Sequence, residues 1–122
     1  MRYDDFSYLW PPRPETAISR SALKSPLYKG WVAQAKKNGT CNVIAVSPEG
    51  VLKCMSRHND EHKLWVPTAK SSAAFQNLPG TGWYVFVAEL MHSKVTTGAK
   101  DTNYIHDILV ADGDQLIGVT FK

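Results

Sequence analysis

A chain of 122 residues, 43% hydrophobic and 20% charged, suits one small globular domain with a modest core and excludes a disordered chain. Fourteen Lys and Arg against eleven Asp and Glu leave a formal charge of +3, spread along the sequence, which permits a polyanionic partner without demanding one. No apolar run approaches a membrane span, and the opening MRYDDFSYLW has two aspartates where a signal peptide needs an uninterrupted apolar stretch; the sequence therefore reads as an intracellular, cytoplasmic protein without a membrane partner.

Residues 1–30 contain Pro11, Pro12, Pro14 and Pro26 and read as a Pro-rich N-terminal arm. Its one helix candidate is PETAISRSAL, with Pro14 and Glu15 in the first turn, where a missing N–H and a negative charge are tolerated. From Trp31 to the end, residues 31–122 read as a β domain. WVAQAK, CNVIAV and VLKCMS are predicted strands separated by the turns KNGT and SPEG, and Asn38-Gly39 is a strong hairpin dipeptide. RHNDEHKLWVP is a polar loop, and TAKSSAAFQNL is a short helix closed by PGTG. WYVFVAEL is almost wholly apolar and suits a strand covered on both faces. NYIHDILV, the turn ADGD and a last strand QLIGVTF follow the loop SKVTTGAKDT. The fold class is α+β: a twisted, mostly antiparallel sheet with one or two short helices, and no βαβ alternation, repeat or phosphate-loop sequence.

With a turn at SPEG, Cys41 falls opposite Ser56 and diagonal to Cys54. Diagonal neighbours stand about 7–8 Å apart, beyond most disulfides, so two reduced thiols are expected. His58 and His62 share the i, i+4 spacing of helical zinc ligands, but RHNDEHK lacks the HExxH order and lies in a loop. Trp31, Trp65, Trp83 and Tyr84 are the aromatics available as stacking platforms for single strands, although most are expected in the core or at its rim.

Three charged residues interrupt apolar strands: Lys36, Glu89 and Asp107. Such residues are seldom buried unless paired or functional. Their order resembles the covalent nucleotidyltransferases, the superfamily of ATP-dependent DNA and RNA ligases and messenger-RNA capping enzymes. Lys36-Lys37-Asn38-Gly39 is similar to its Lys-x-Asp-Gly nucleophile motif, Ser56-Arg57 to its arginine motif, and Ala88-Glu89-Leu90 to its Gly-Glu strand. The segment Ile105-His106-Asp107-Ile108-Leu109-Val110 is similar to its aromatic-Asp strand. The resemblance covers Trp31 to Phe121 and rests on order and spacing. Asn38 stands where the family has aspartate, Cys41 where many members have a phosphate-binding arginine, and Ala88 where glycine precedes the glutamate. The family's later glutamate strand and lysine pair have no counterpart before Lys122.

The resemblance implies the N-terminal portion of an ATP-dependent polynucleotide ligase, with residues 31–122 a partial nucleotidyltransferase-like domain. Lys36 is then the nucleophile that forms a lysyl-AMP intermediate, using ATP and Mg²⁺ or Mn²⁺. A lysine attacks phosphorus only when deprotonated, and a neighbouring cation such as Lys37, burial or a metal ion favours the neutral amine. Gln34, on the face of Lys36, is a candidate for a purine edge, and His106 for stacking on the base. Arg57 offers forked donors for phosphate or ribose. Asn38 keeps the hydrogen-bonding shape of the aspartate, and Gly39 lets backbone approach a ligand. Glu89 is the candidate for the metal ion, through water, or for the ribose hydroxyl, and Asp107 completes the nucleotide set. A second chain or downstream segment is expected to supply the missing motifs, and this chain alone to self-nucleotidylate weakly or not at all. Two other readings stand beside it: a small non-catalytic relic of the ligase fold that binds nucleic acid, a nucleotide or a protein, and an unrelated antiparallel β domain.

Overall fold

The computed structural model describes residues 15–92, 101–116, 118 and 119. Its frame comes from runs rich in β-branched and aromatic side chains, which fit a pleated, half-buried surface. Strand β1 is Thr40–Val46, β2 is Leu52–Met55, β3 is Tyr84–Met91, β4 is Thr102–Ala111, and β5 is the two residues Asp114–Gln115. They form one open sheet in the order β2-β1-β3-β4-β5 with every neighbouring pair antiparallel. One helix, α1 (Ala69–Phe75), and single 3-10 turns at Ala22–Lys24 and Pro26–Tyr28 complete a small α+β fold with little helix among the described residues. None of these helices is long and apolar enough to cross a membrane.

Turn chemistry sets the register. In the SPEG connection the Gly50 N–H donates to the Ser47 carbonyl at 2.9 Å, and Gly50 takes φ +78°, as a type I turn with a glycine bulge requires. Asp112 and Gly113 both have positive φ and close the two-residue hairpin between β4 and β5. Helix α1 starts where Thr68 Oγ1 accepts from the Ser71 N–H at 3.1 Å, and its last residue, Phe75, is buried.

β3 lies between β1 and β4, and its two faces serve separate clusters. Ile44, Val46, Phe86 and Ala88 pack under Phe75 of α1, with Leu78, Leu52 and Cys54 at the margin. Val43, Ala45, Val85 and Val110 pack on the other face with Cys41, Trp83 and Leu109. This is the physical reason WYVFVAEL lacks alternation: Val85, Val87, Ala88 and Leu90 are all fully buried, although they do not share one face.

Several sequence expectations require correction. WVAQAK is not a strand: residues 31–38 have no regular structure, and Lys36-Lys37-Asn38-Gly39 is not a hairpin turn, because neither Asn38 nor Gly39 has the positive φ such a turn needs. β1 instead takes β2 and β3 as its two partners, which leaves it no edge for a further strand. PETAISRSAL contributes only the 3-10 turn at Ala22–Lys24 within its described part; Pro14 lies outside the described residues. The last strand shrinks to Asp114–Gln115, and Ile117 and residues 120–122 lie outside the described residues. The β1–β2 register is shifted by one from the expected pairing, so Cys54 faces Ile44. Cys41 therefore lies on the opposite face from Cys54, and no disulfide joins them.

Candidate functional site

Three contacts lay the segment before β1 against β3 and β4. Gln34 Nε2 donates to the His106 carbonyl at 3.2 Å, the Lys37 ammonium lies 4.4 Å from the centre of the Tyr104 ring, and the Gly39 N–H donates to Glu89 Oε1 at 2.7 Å. Gly39 is required for a steric reason. A Cβ there would overlap the Leu90 carbonyl oxygen and lie 2.8 Å from Met91 Sδ, so only glycine lets the backbone pass this close to β3.

Glu89 pairs with Cys41 on one side and Tyr104 on the other, forming a row across β1, β3 and β4. Asp107 pairs with Val87, two residues along β3 from Glu89, so both carboxylates leave the same face. Strict alternation along β4 would have put Asp107 on the face opposite Tyr104. The register shift between Val87 and Ala88 leaves His106 as an unpaired bulge residue and returns Asp107 to the face of Glu89. Glu89 is half-buried, whereas Asp107 is exposed and its Oδ1 accepts from the Ile108 N–H at 2.8 Å.

Around this row the other candidates fall as follows. Lys36 is exposed, and its Nζ donates to the Lys37 carbonyl at 3.4 Å. Lys37, not Lys36, is the cation stacked on the sheet face. Asn38 and His106 are exposed. Arg57 lies beyond β2, at the tip of the turn closed by the Met55–Glu61 bridge, and its Nε donates to His58 Nε2 at 3.1 Å. This turn follows Met55, the partner of Val43, and so lies toward the Cys41 end of the sheet. The structure thus gathers Gln34, Lys37, Gly39, Glu89, His106 and Asp107 along the β3–β4 side.

Tyr104, the ring on which Lys37 rests, is a site residue that no motif singles out; its signal in the sequence is an aromatic three residues before Asp107. Also unanticipated is a polar cluster on the helix-covered face. Asn42 is fully buried; its Nδ2 donates to Asn103 Oδ1 at 2.8 Å, and its Oδ1 accepts from His62 Nε2 at 3.1 Å. Burial, and secondarily the nearby His92, push the His62 pKa down. Burial pushes the Cys54 thiol up to about 11, against an opposing hydrogen bond with Asn42. The signal for this cluster was a lone asparagine within the apolar run CNVIAV. A groove of about 520 Å³ between α1 and the start of β4 lies on this face too, lined by Lys70, Ser71, Phe75, Asn103 and Ile105 among others.

Comparison with known proteins adds no relative: no protein-family model, no curated protein and no solved structure matches the chain. Among the described residues no three His, Cys, Asp or Glu side chains gather as a metal cluster. A magnesium ion does not require one, since it keeps several waters and binds through one or two carboxylates plus substrate phosphates. Glu89 fits that mode: one carboxylate oxygen is committed to Gly39, and Asp107 is on the same face.

Proposed function

We propose that this chain is the N-terminal, nucleotide-binding portion of an ATP-dependent polynucleotide ligase. The observation that supports the reading is the Gly39–Glu89 hydrogen bond, which ties the lysine segment to the glutamate strand, with Asp107 on the same face. These residues come from three separated segments, and their convergence is what a shared nucleotide site needs. In this reading Lys36 Nζ attacks the α-phosphorus of ATP. A P–N bond forms, the bond to the β-phosphate oxygen breaks, pyrophosphate leaves, and the amine gives up its proton. AMP then passes to a 5′-phosphate before strand sealing. Glu89, with Asp107, would hold Mg²⁺, which when bound neutralises phosphate charge. Gln34 and His106 flank the base, and Arg57 is assigned to phosphate or ribose. Further groups, from a downstream segment or a partner chain, are needed to clamp the triphosphate.

The test is incubation with α-labelled ATP and Mg²⁺, read after denaturing electrophoresis, beside an NMR titration with ATP. The reading expects shifts at Gly39 and Glu89 and a faint adduct that is lost in Lys36→Ala and kept in Lys37→Ala. An adduct that survives Lys36→Ala, or no response of these amides to millimolar ATP, overturns it.

The exposed Lys36, whose Nζ donates to the Lys37 carbonyl while Lys37 rests on the sheet face, favours a second reading: a ligase-fold relic that binds nucleotide, nucleic acid or a protein without chemistry. Its signature is amide shifts with ATP and no covalent adduct, even when the complementing segment is supplied.

A further inference from the structure

We infer that the stretch from Arg20 to Lys37 is a binding surface for a single-stranded polynucleotide, with Trp31 as its base-stacking platform. Of the four described aromatics that the sequence offers as stacking platforms, Trp65 is buried, Trp83 and Tyr84 are half-buried, and Trp31 is 75% exposed. Its placement is fixed by the backbone. Lys29 has φ −62° and ψ 124°, Gly30 has φ +86°, and the Trp31 N–H donates to the Tyr28 carbonyl at 3.1 Å, which together make a type II turn. The turn sets the Tyr28 ring edge-on to Trp31 at 5.6 Å between centres, so one indole is braced while the rest of its surface meets solvent.

Charge selects the partner. Between Glu15 and Glu49 the chain has no acidic residue, while Arg20, Lys24, Lys29, Lys36 and Lys37 intervene. Arg20, Lys24, Lys29 and Lys36 are all exposed. Leu23 and Leu27 are exposed as well and would suit an apolar protein surface, but such a partner leaves this one-signed run without a counter-charge. A polynucleotide strand supplies both complements at once: phosphates for the cations and unpaired bases for the indole. The assignment needs neither ATP nor a reactive lysine, so it stands or falls separately from nucleotidyl transfer.

Fluorescence anisotropy of a labelled oligothymidylate of roughly fifteen nucleotides, without ATP or divalent metal, tests it. Binding should weaken steeply as salt rises from about 50 to 200 mM, and an unlabelled duplex should compete poorly against the single strand. Trp31→Ala should lose about tenfold in affinity at an unchanged salt slope, with Trp31→Phe restoring most of it. Lys24→Gln with Lys29→Gln should lower the salt slope by about 1.4. Trp31 is exposed, so the thermal midpoint of Trp31→Ala should match the parent, which separates lost stacking from lost folding. Absence of binding, binding that ignores salt, duplex bound as tightly as single strand, or Trp31→Ala binding like the parent each overturns the proposal. None of those results bears on the Lys36 adduct.

Discussion

The Gly39 N–H donates to Glu89 Oε1 over 2.7 Å although the two residues lie 50 positions apart in the chain. The contact joins the start of β1 to the middle partner strand of the sheet and is part-buried, so the carboxylate both satisfies a backbone donor and fixes the lysine segment in place. Glu89→Ala should lower stability by about 1–3 kcal/mol, because the amide loses its acceptor. Glu89→Gln keeps an acceptor oxygen and should fold nearly as well, yet weaken any Mg²⁺-dependent binding of ATP. Urea unfolding of both variants, with an ATP titration of the second, checks the pair.

Gly39→Ala tests the other half of the contact. Since the added methyl meets the Leu90 carbonyl and Met91 Sδ, the segment must move off β3, at a cost of about 1–3 kcal/mol by analogy with overpacked cores. The Lys37–Tyr104 stacking should be lost with it, visible as a shift of the Tyr104 ring resonances.

His62 carries a pH dependence whose sign follows from its environment. Its folded pKa lies below the ordinary value of 6.5, through burial first and His92 second, so the unfolded chain binds the proton more readily. The stabilisation is fully present above pH 6.5 and declines as pH falls from there through the lower folded pKa. Asn42 Oδ1 accepts from Nε2, so the added proton goes to Nδ1. Thermal midpoints measured from pH 7.5 down to 5 should fall in the parent and fall less in His62→Gln.

Cys54 should be a poor nucleophile. With its pKa near 11, only about one thiol in a thousand is ionised at pH 8. Alkylation by iodoacetamide, located by peptide mass, should be slow at Cys54 under native conditions and fast once urea exposes it.

Asp112 pins the β4–β5 hairpin to the loop before β3. Its Oδ1 accepts from the Thr81 N–H at 2.9 Å and from the Gly82 N–H, and a Cβ at Gly80 would overlap its carboxylate. Asp112→Ala should cost about 2 kcal/mol, from two lost charge-assisted bonds and an alanine at φ +49°. Asp112→Asn keeps an acceptor and tolerates that φ, so its melting curve should lie close to the parent.

Local chemistry decided much of this protein by itself. β-branched runs bounded by SPEG and ADGD specify β1, β2, β4 and their turns, and the threonine that caps α1 stands in TAKSSAAF; these features depend on neighbours a few residues away. The fate of WVAQAK was not local. Its composition suits a strand, but β1 already has both edges occupied by β2 and β3, so the segment lies across the sheet and takes its bonds from Glu89 and the His106 carbonyl. The face of Asp107 was likewise set by pairing. A single bulge at His106 reverses the parity of β4, and a one-residue change of register carries a side chain from one side of a sheet to the other. Sequence named the lysine segment, the glutamate and the aspartate; only long-range pairing, whose geometry no short window contains, determined that the two carboxylates share a face and that Lys37 rather than Lys36 rests on it.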